Sequence, residues 1–197
     1  MENARKSETV ASLLQRSLHE HIQAVEALLK THLTDIERSG QMICSALDRG
    51  NKVLLCGNGG SAADAQHIAA ELVGIYELQR RAWPSIALTT DTSALTALSN
   101  DFGYEHVFAR QVEALAREGD VLVALSTSGG SANVIKAAEA ARKKGCRIIA
   151  LTGRTGEPLA SMCEVAITVP SERTSRIQEA HITIGHLWCE MVDTQLG

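Results

Sequence analysis

The chain has few aromatic residues, few prolines and no long apolar run, and each shortage removes a class of protein. Aromatics make up 3% of its 197 residues and prolines number only 3. No Pro/Ser-rich linker, low-complexity tract or internal repeat breaks it up, which argues against repeat arrays and strings of tethered modules. No segment approaches the roughly 20 apolar residues needed to cross a bilayer. The opening "MENARKSETVASLLQRS" has no continuous apolar stretch that could form a signal-peptide core. The 5 cysteines, Cys44, Cys56, Cys146, Cys163 and Cys189, include no CxxC spacing. An odd, scattered set argues against a disulfide framework or a cysteine zinc site, and most are expected to be buried as small apolar side chains. Positive charge is not in excess either: 19 Lys and Arg stand against 23 Asp and Glu, a net charge of −4. That balance lacks the electrostatic footprint of a general nucleic-acid binder. The expectation is a cytoplasmic protein with neither membrane nor nucleic acid as a partner.

What remains is an ordinary folding chain, 45% apolar and 21% charged, long enough to bury a substantial core as one domain. Val10, Leu14, Leu18, Ile22, Val25 and Leu29 recur at three- and four-residue steps and predict an amphipathic helix over about 10–33. Thr34 offers an N-cap for a second helix ending near Gly50. Beyond it, apolar runs of strand length occur at 52–56, 85–89, 121–125, 147–151 and 164–169. Helical patterns fall at about 61–76, 104–116 and 131–144, with a shorter one near 157–162 and a long one over 174–196. Near-continuous apolar strands alternating with helices predict a three-layer, doubly wound α/β fold of about five parallel strands. The first 50 residues read as an N-terminal helical extension, either a plain cap on the sheet or, given the apolar stripe, a surface for packing between subunits.

Two predicted strand ends carry unusual chemistry, and ligands of doubly wound sheets bind beyond such ends. The first is "CGNGGSA" and the second "LSTSGGSANV". Gly57, Gly59 and Gly60 allow a tight turn with several N–H groups near a ligand, at the positive end of the next helix. Ser126, Thr127, Ser128 and Ser131 add hydroxyl donors. Serine and glycine also cluster in βα loops simply as caps and turns; two such loops shift the balance towards a phosphate. Gly57, Gly59 and Ala62 fit a dinucleotide fingerprint, but the acidic residue it needs would be Asp91, which comes late, and no GK[ST] follows.

His67 and Glu71 lie one turn apart on the helix that leaves the glycine loop. As a surface ion pair they would be worth only about a few tenths of a kcal/mol. The last helix holds Gln178, Glu179, His181 and His186 among apolar residues, and spacing leaves open whether His181 or His186 faces the loops. Asp91, Glu113 and Glu118 read as solvated or capping residues.

The motifs "CGNGGSAADAQHIAAEL", "ALTTDTSALTALSNDFGYEHVFARQVEAL", "GDVLVALSTSGGSANVIKA", "ALTGR" and "RIQEAHITIGH" occur in order and span nearly the whole chain. In them the sequence resembles the sugar isomerase (SIS) domain family, and within it the bacterial phosphoheptose isomerases. These interconvert sedoheptulose 7-phosphate and D-glycero-D-manno-heptose 7-phosphate, the first step towards the ADP-heptose of the lipopolysaccharide core. The resemblance implies a single SIS domain over 1–197 with flavodoxin-like topology, assembled as a homotetramer through the N-terminal segment, with active sites built from more than one subunit. It implies that Asn58, Gly59, Gly60, Glu71, Asn100, Asp101 and Gln178 contact substrate and that Ser126, Thr127, Ser128 and Ser131 hold its phosphate. It further implies one zinc ion per subunit on His67, Glu71, Gln178 and His186, and so selects His186 over His181. Moving a proton between C1 and C2 through an enediol requires a proton carrier and a counter-charge for oxygen. Glu71 and His186 are the candidates, and a zinc ion would polarise the oxygen.

Two positions depart from the family pattern. Gly130 stands where many of these isomerases have Asn, and Ile75 replaces the Arg of "GRY", removing a cation that Arg80 or Arg81 would have to supply. The alternatives are a regulatory binding protein of the replication-initiator-associating type, which the resemblance implies lacks the catalytic glutamate, or an isomerase or sensor for another phosphosugar.

Overall fold

The computed structural model describes residues 9–197. Two helices, α1 (Val10–Thr31) and α2 (Leu33–Asp48), precede β1 (Val53–Cys56) and α3 (Gly60–Val73). The chain continues through β2 (Ser85–Ala87), α4 (Thr92–Phe102), a 3-10 turn at Tyr104–His106 and α5 (Val107–Leu115). Then come β3 (Val121–Ser126), α6 (Ala132–Lys143), β4 (Arg147–Thr152), a 3-10 turn at Ala160–Met162, β5 (Val165–Thr168) and α7 (Thr174–Leu196). All strand pairs are parallel, in the order β2-β1-β3-β4-β5. The order reverses beside β1, so the loops that follow β1 and β3 open side by side at the switch point.

Strand alternation divides the core into two halves. Val53, Leu55, Val123, Leu125, Ile149 and Leu151 face one side, against Leu47, Ile68, Leu72, Ile184 and Trp188 of α2, α3 and α7. Leu54, Leu122, Ala124 and Ile148 face the other, against Phe108, Val112, Val134 and Ala137 of α5 and α6. Burial on both faces is why these strands are apolar throughout; β3 has no exposed position. Cys44, Cys56, Cys146 and Cys189 are buried free thiols and Cys163 is half-buried, and burial pushes the Cys56 thiol up to about 12. Among the described residues, no helix is long and apolar enough to cross a membrane.

Several expected boundaries are corrected. His32, not Thr34, is the single residue between α1 and α2: it closes the first helix through its N–H to the Leu28 carbonyl and opens the second. The pattern over 104–116 is broken by the 3-10 turn, and the one near 157–162 is reduced to a 3-10 turn. The helix α4 was not expected; none of its residues is fully buried, and only Leu95 and Leu98 pack against the core. Its signals are local: Asp91 accepts the Ala94 N–H at 2.9 Å as N-cap, and Gly103 ends it at φ 87°.

The first helix uses its stripe unexpectedly. Only Ala24 and Leu28 of α1 are buried, while Val10, Leu14, Leu18, Ile22 and Leu29 are 51–76% exposed. Polar links tie it to α7: Arg176 donates to the Ser17 carbonyl at 2.8 Å, and His21 contacts Glu179 at 2.9 Å.

Candidate active site

The glycine loop is shaped by close approaches. Gly59 has φ 54° at the N-cap of α3. A Cβ on Gly57 would lie 2.7 Å from the Ser61 carbonyl oxygen, and one on Gly60 would lie 2.5 Å from the Gln178 amide. Gln178 of α7 therefore lies on this loop only because residue 60 lacks a side chain. Asn58 is committed to holding loops together: its amide donates to Asn133 at 2.9 Å and accepts from it at 2.8 Å, while the Tyr104 hydroxyl donates to its Oδ1 at 3.1 Å. Asn133, 4% exposed, was missed in the sequence. Its place in the first turn after "STSGGS" was the available signal.

In the serine loop the Ser126 hydroxyl donates to Ser131 at 3.0 Å, and the Gly130 N–H donates to the Ser128 hydroxyl at 3.2 Å. Ser131 occupies the N-cap of α6 without capping it through its side chain, leaving the helix's positive end uncapped by that hydroxyl. A cleft of about 260 Å³ opens beside Thr127 and Ser128 of this loop, lined also by Arg154, Ser171, Glu172 and Thr174.

On the other side of the glycine loop, α3 and α7 bring three expected side chains together. His67 Nε2 lies 3.2 Å from Glu71 Oε1 and 3.2 Å from His186 Nε2. Their rings are 5.0 Å apart, and Tyr76 stacks on His186 at 5.6 Å. Gly185 permits the approach, since a Cβ there would lie 2.5 Å from the Ile68 side chain. His67 and Glu71 retain side-chain exposures of 48% and 26%, enough for a ligand to reach them. His181 points elsewhere: fully buried, it donates from Nε2 to the Thr152 carbonyl at 3.1 Å, and burial lowers it to about 4, so it is a neutral core residue.

Asp64, one turn before His67, was missed. Its Oδ2 is buried without a hydrogen-bond partner, and burial pushes its carboxyl up to about 6, against the lowering influence of His67. Asn100 and Asp101 stand exposed at the end of α4, hydrogen-bonded to one another at 2.9 Å. Glu113 pairs with Arg110 on the surface.

Arg80 and Arg81 do not replace the cation lost at Ile75. Arg80 is 1% exposed and bonds Asp193, itself 3% exposed, at 2.6 Å. Its guanidinium also donates to the carbonyls of Glu71, Leu72 and Gly74. Burial alone would raise the Asp193 carboxyl, but the N–H groups of Leu78 and Glu77 and the Arg80 charge outweigh it and hold it below its ordinary value. Arg81 lies over the Trp83 ring at 3.8 Å.

The glycine and serine loops, tied by Asn58 and Asn133, and the His67, Glu71 and His186 cluster thus lie beyond the strand ends of a doubly wound parallel sheet, where ligands of such folds bind. The model of the SIS domain matches residues 18–153. The phosphoheptose isomerase of Aliarcobacter butzleri is 52% identical over 90% of this chain and 94% of its own. That of Rhodospirillum rubrum is 55% identical over 82% of this chain and 86% of its own. The phosphoheptose isomerase GmhA of Neisseria gonorrhoeae superposes with a TM-score of 0.89 at 46% identity, covering 94% of this chain and all of that one. The chain belongs to the SIS domain family and, within it, to the phosphoheptose isomerases. The NanR protein of Vibrio vulnificus, solved in complex with ManNAc-6P, shares the fold alone, at 15% identity and a TM-score of 0.68.

Proposed function

We propose that this chain interconverts sedoheptulose 7-phosphate and D-glycero-D-manno-heptose 7-phosphate, as a cytoplasmic homotetramer of single SIS domains with one zinc ion per subunit. The observation that carries this reading is the meeting of His186 with His67 and Glu71, residues 119 apart in sequence for the histidine pair. In this reading the serine loop takes the phosphate on Ser126, Thr127, Ser128 and Ser131, aided by the α6 dipole. The glycine loop with Gln178 lies alongside the sugar, and Asn100 and Asp101 contact it from α4. Glu71 takes the proton from one carbon and returns it to the next, while His186 moves the hydroxyl proton.

The donor set fits zinc by its chemistry: two imidazole nitrogens and a carboxylate oxygen, with Gln178 as the fourth ligand. Among the described residues no three His, Cys, Asp or Glu side chains already close on one point as a metal site. His67 would hold the ion together with the two partners 3.2 Å from its Nε2, Glu71 and His186. When bound, the ion supplies Lewis-acid polarisation of a substrate oxygen.

Support for the tetramer is the exposed stripe of α1, which a second copy would cover. Residues 1–8 of the proposed N-terminal extension lie outside the described residues. Replacing Leu14 and Leu18 together by Glu is expected to shift the protein to smaller species in sedimentation.

The reaction is tested by incubating the protein with sedoheptulose 7-phosphate in deuterated water and following the sugar by NMR. Wild type, Glu71→Gln and His186→Ala are compared with and without added zinc. The expected result is deuterated aldose from wild type and its collapse in both variants. No conversion by an intact tetramer under any metal condition would sink the heptose reading.

A further inference from the structure

A phosphate ester carries about −1.5 to −2 charge at neutral pH, yet the serine loop supplies only neutral donors. Neither arginine of the 74–84 segment is free to help. Arg154 stands at the cleft instead. It follows β4, whose end pairs with the end of β3 through Ser126 and Thr152. Three backbone contacts hold its loop against the serine loop. The Gly153 N–H donates to the Thr127 carbonyl at 3.0 Å, and the Leu159 N–H donates to the Gly129 carbonyl at 3.3 Å. Gly129 lies so close to Gly156 that a Cβ there would come within 2.2 Å of its carbonyl carbon. Arg154 is thus anchored within one residue of a hydrogen bond to the phosphate-binding segment, in a cleft that it lines with Thr127 and Ser128.

Among the described residues Arg154 has one carboxylate partner. Its Nη1 lies 2.5 Å from Glu172 Oε1, with side chains 69% and 76% exposed. An ion pair this solvated is worth at most about 1 kcal/mol. A guanidinium on a phosphate forms charge-assisted, often bidentate bonds that are stronger than such a pair.

We infer that Arg154 is the phosphate-specificity residue of this site and that Glu172 holds it at the cleft until the substrate's phosphate displaces the carboxylate. The inference rests on the phosphosugar reading above and adds to it the missing cation and its exchange partner. A neutral sugar has nothing with which to displace Glu172, so Arg154 engages only phosphorylated substrates. The exchange also explains how the site accommodates Ile75, because the compensating charge comes from the β4 loop and not from the segment after α3.

The test is calorimetric titration of the full-length protein with inorganic phosphate, beside steady-state kinetics with sedoheptulose 7-phosphate. Arg154→Gln is expected to weaken phosphate binding and raise KM by about ten- to a hundredfold, the range for hydrogen bonds to charged groups. Its kcat should stay within about threefold, because the residue touches the non-reacting end. Arg154→Lys should fall between, keeping the charge but losing the fork. Glu172→Gln should tighten phosphate by about two- to fivefold, as expected for losing an exposed competing pair, and the double variant should behave like Arg154→Gln. Phosphate affinity and KM unchanged in Arg154→Gln, with wild-type binding intact, would overturn this inference alone. Unchanged affinity in Glu172→Gln would overturn the exchange. Wild type that neither binds phosphate nor converts the sugar would overturn the phosphosugar reading together with it.

Discussion

Two arginine–carboxylate pairs in this protein have the same chemistry and opposite uses. Arg80 and Asp193 are 1% and 3% exposed, and nearly every polar atom of the pair is engaged by backbone. The guanidinium closes the carbonyl end of α3, and the carboxylate accepts the N–H groups of Glu77 and Leu78 at 2.9 Å each. The pair thereby fixes the helix that carries Glu71 and the segment that lays Tyr76 on His186. Arg154 and Glu172 are more than two-thirds exposed and, among the described residues, have only one another as ionic partners. Burial makes the first pair a structural joint that cannot exchange partners, because removing either member strands a charge in a dry place. Solvation leaves the second pair weak and free to trade.

Substituting the residue held by the buried joint should give the largest effect. Glu71→Gln is expected to lower kcat by about 10²–10⁴-fold, the usual contribution of a positioned proton carrier. Its thermal midpoint should barely move, since the side chain is partly exposed. Loss of both activity and stability would mean that Glu71 belongs to the joint and not to the chemistry. Next comes the joint itself. Asp193→Ala should cost about 3–5 kcal/mol in denaturant unfolding, as breaking a buried pair does, whereas a loss under about 1 kcal/mol would erase the contrast between the two pairs.

A smaller effect is expected from His181. Its folded value of about 4 lies below its ordinary 6.5, so the unfolded chain takes the proton first as pH falls. Its contribution is complete above pH 6.5 and is lost between 6.5 and 4, in total about 3 kcal/mol. Asp64 runs the other way: raised from 3.8 to about 6, it favours the folded state as pH falls through that interval. Unfolding of His181→Gln against wild type across this range isolates the histidine slope, and parallel curves would refute it. The smallest effect belongs to the exposed pair. Glu172→Gln should change unfolding free energy by less than about 1 kcal/mol, and a larger loss would show that the pair is structural after all.

Much of the architecture was legible because it is written locally. Strands buried on both faces are apolar throughout, so β1, β3 and β4 stand out from their neighbours. The βα loops announce themselves by glycines and hydroxyls, and His67 and Glu71 share a helix face by spacing alone. The helix α4 was overlooked, because its apolar face is short: Leu95 and Leu98 are only partly covered by the core and no residue of the helix is fully buried. Asn133 and Asp64 were overlooked because nothing in their spacing distinguishes a buried polar residue from a solvated one.

The sequence by itself determined the layers, the two glycine- and hydroxyl-rich βα loops and the types of residue available for proton transfer, since periodicity and turn chemistry act over a few residues. Tertiary structure decided which histidine and which arginine those loops would meet. His181 and His186 are five residues apart, about 140° around a helix, so packing against α3 sends one into the core and the other to His67. Arg80 and Arg154 are both plausible cations in one dimension. Only the folding of α7 against the 74–84 segment buries the first, and only the pairing of β4 with β3 sets the second beside Thr127, because charge placement depends on contacts that join distant parts of the chain.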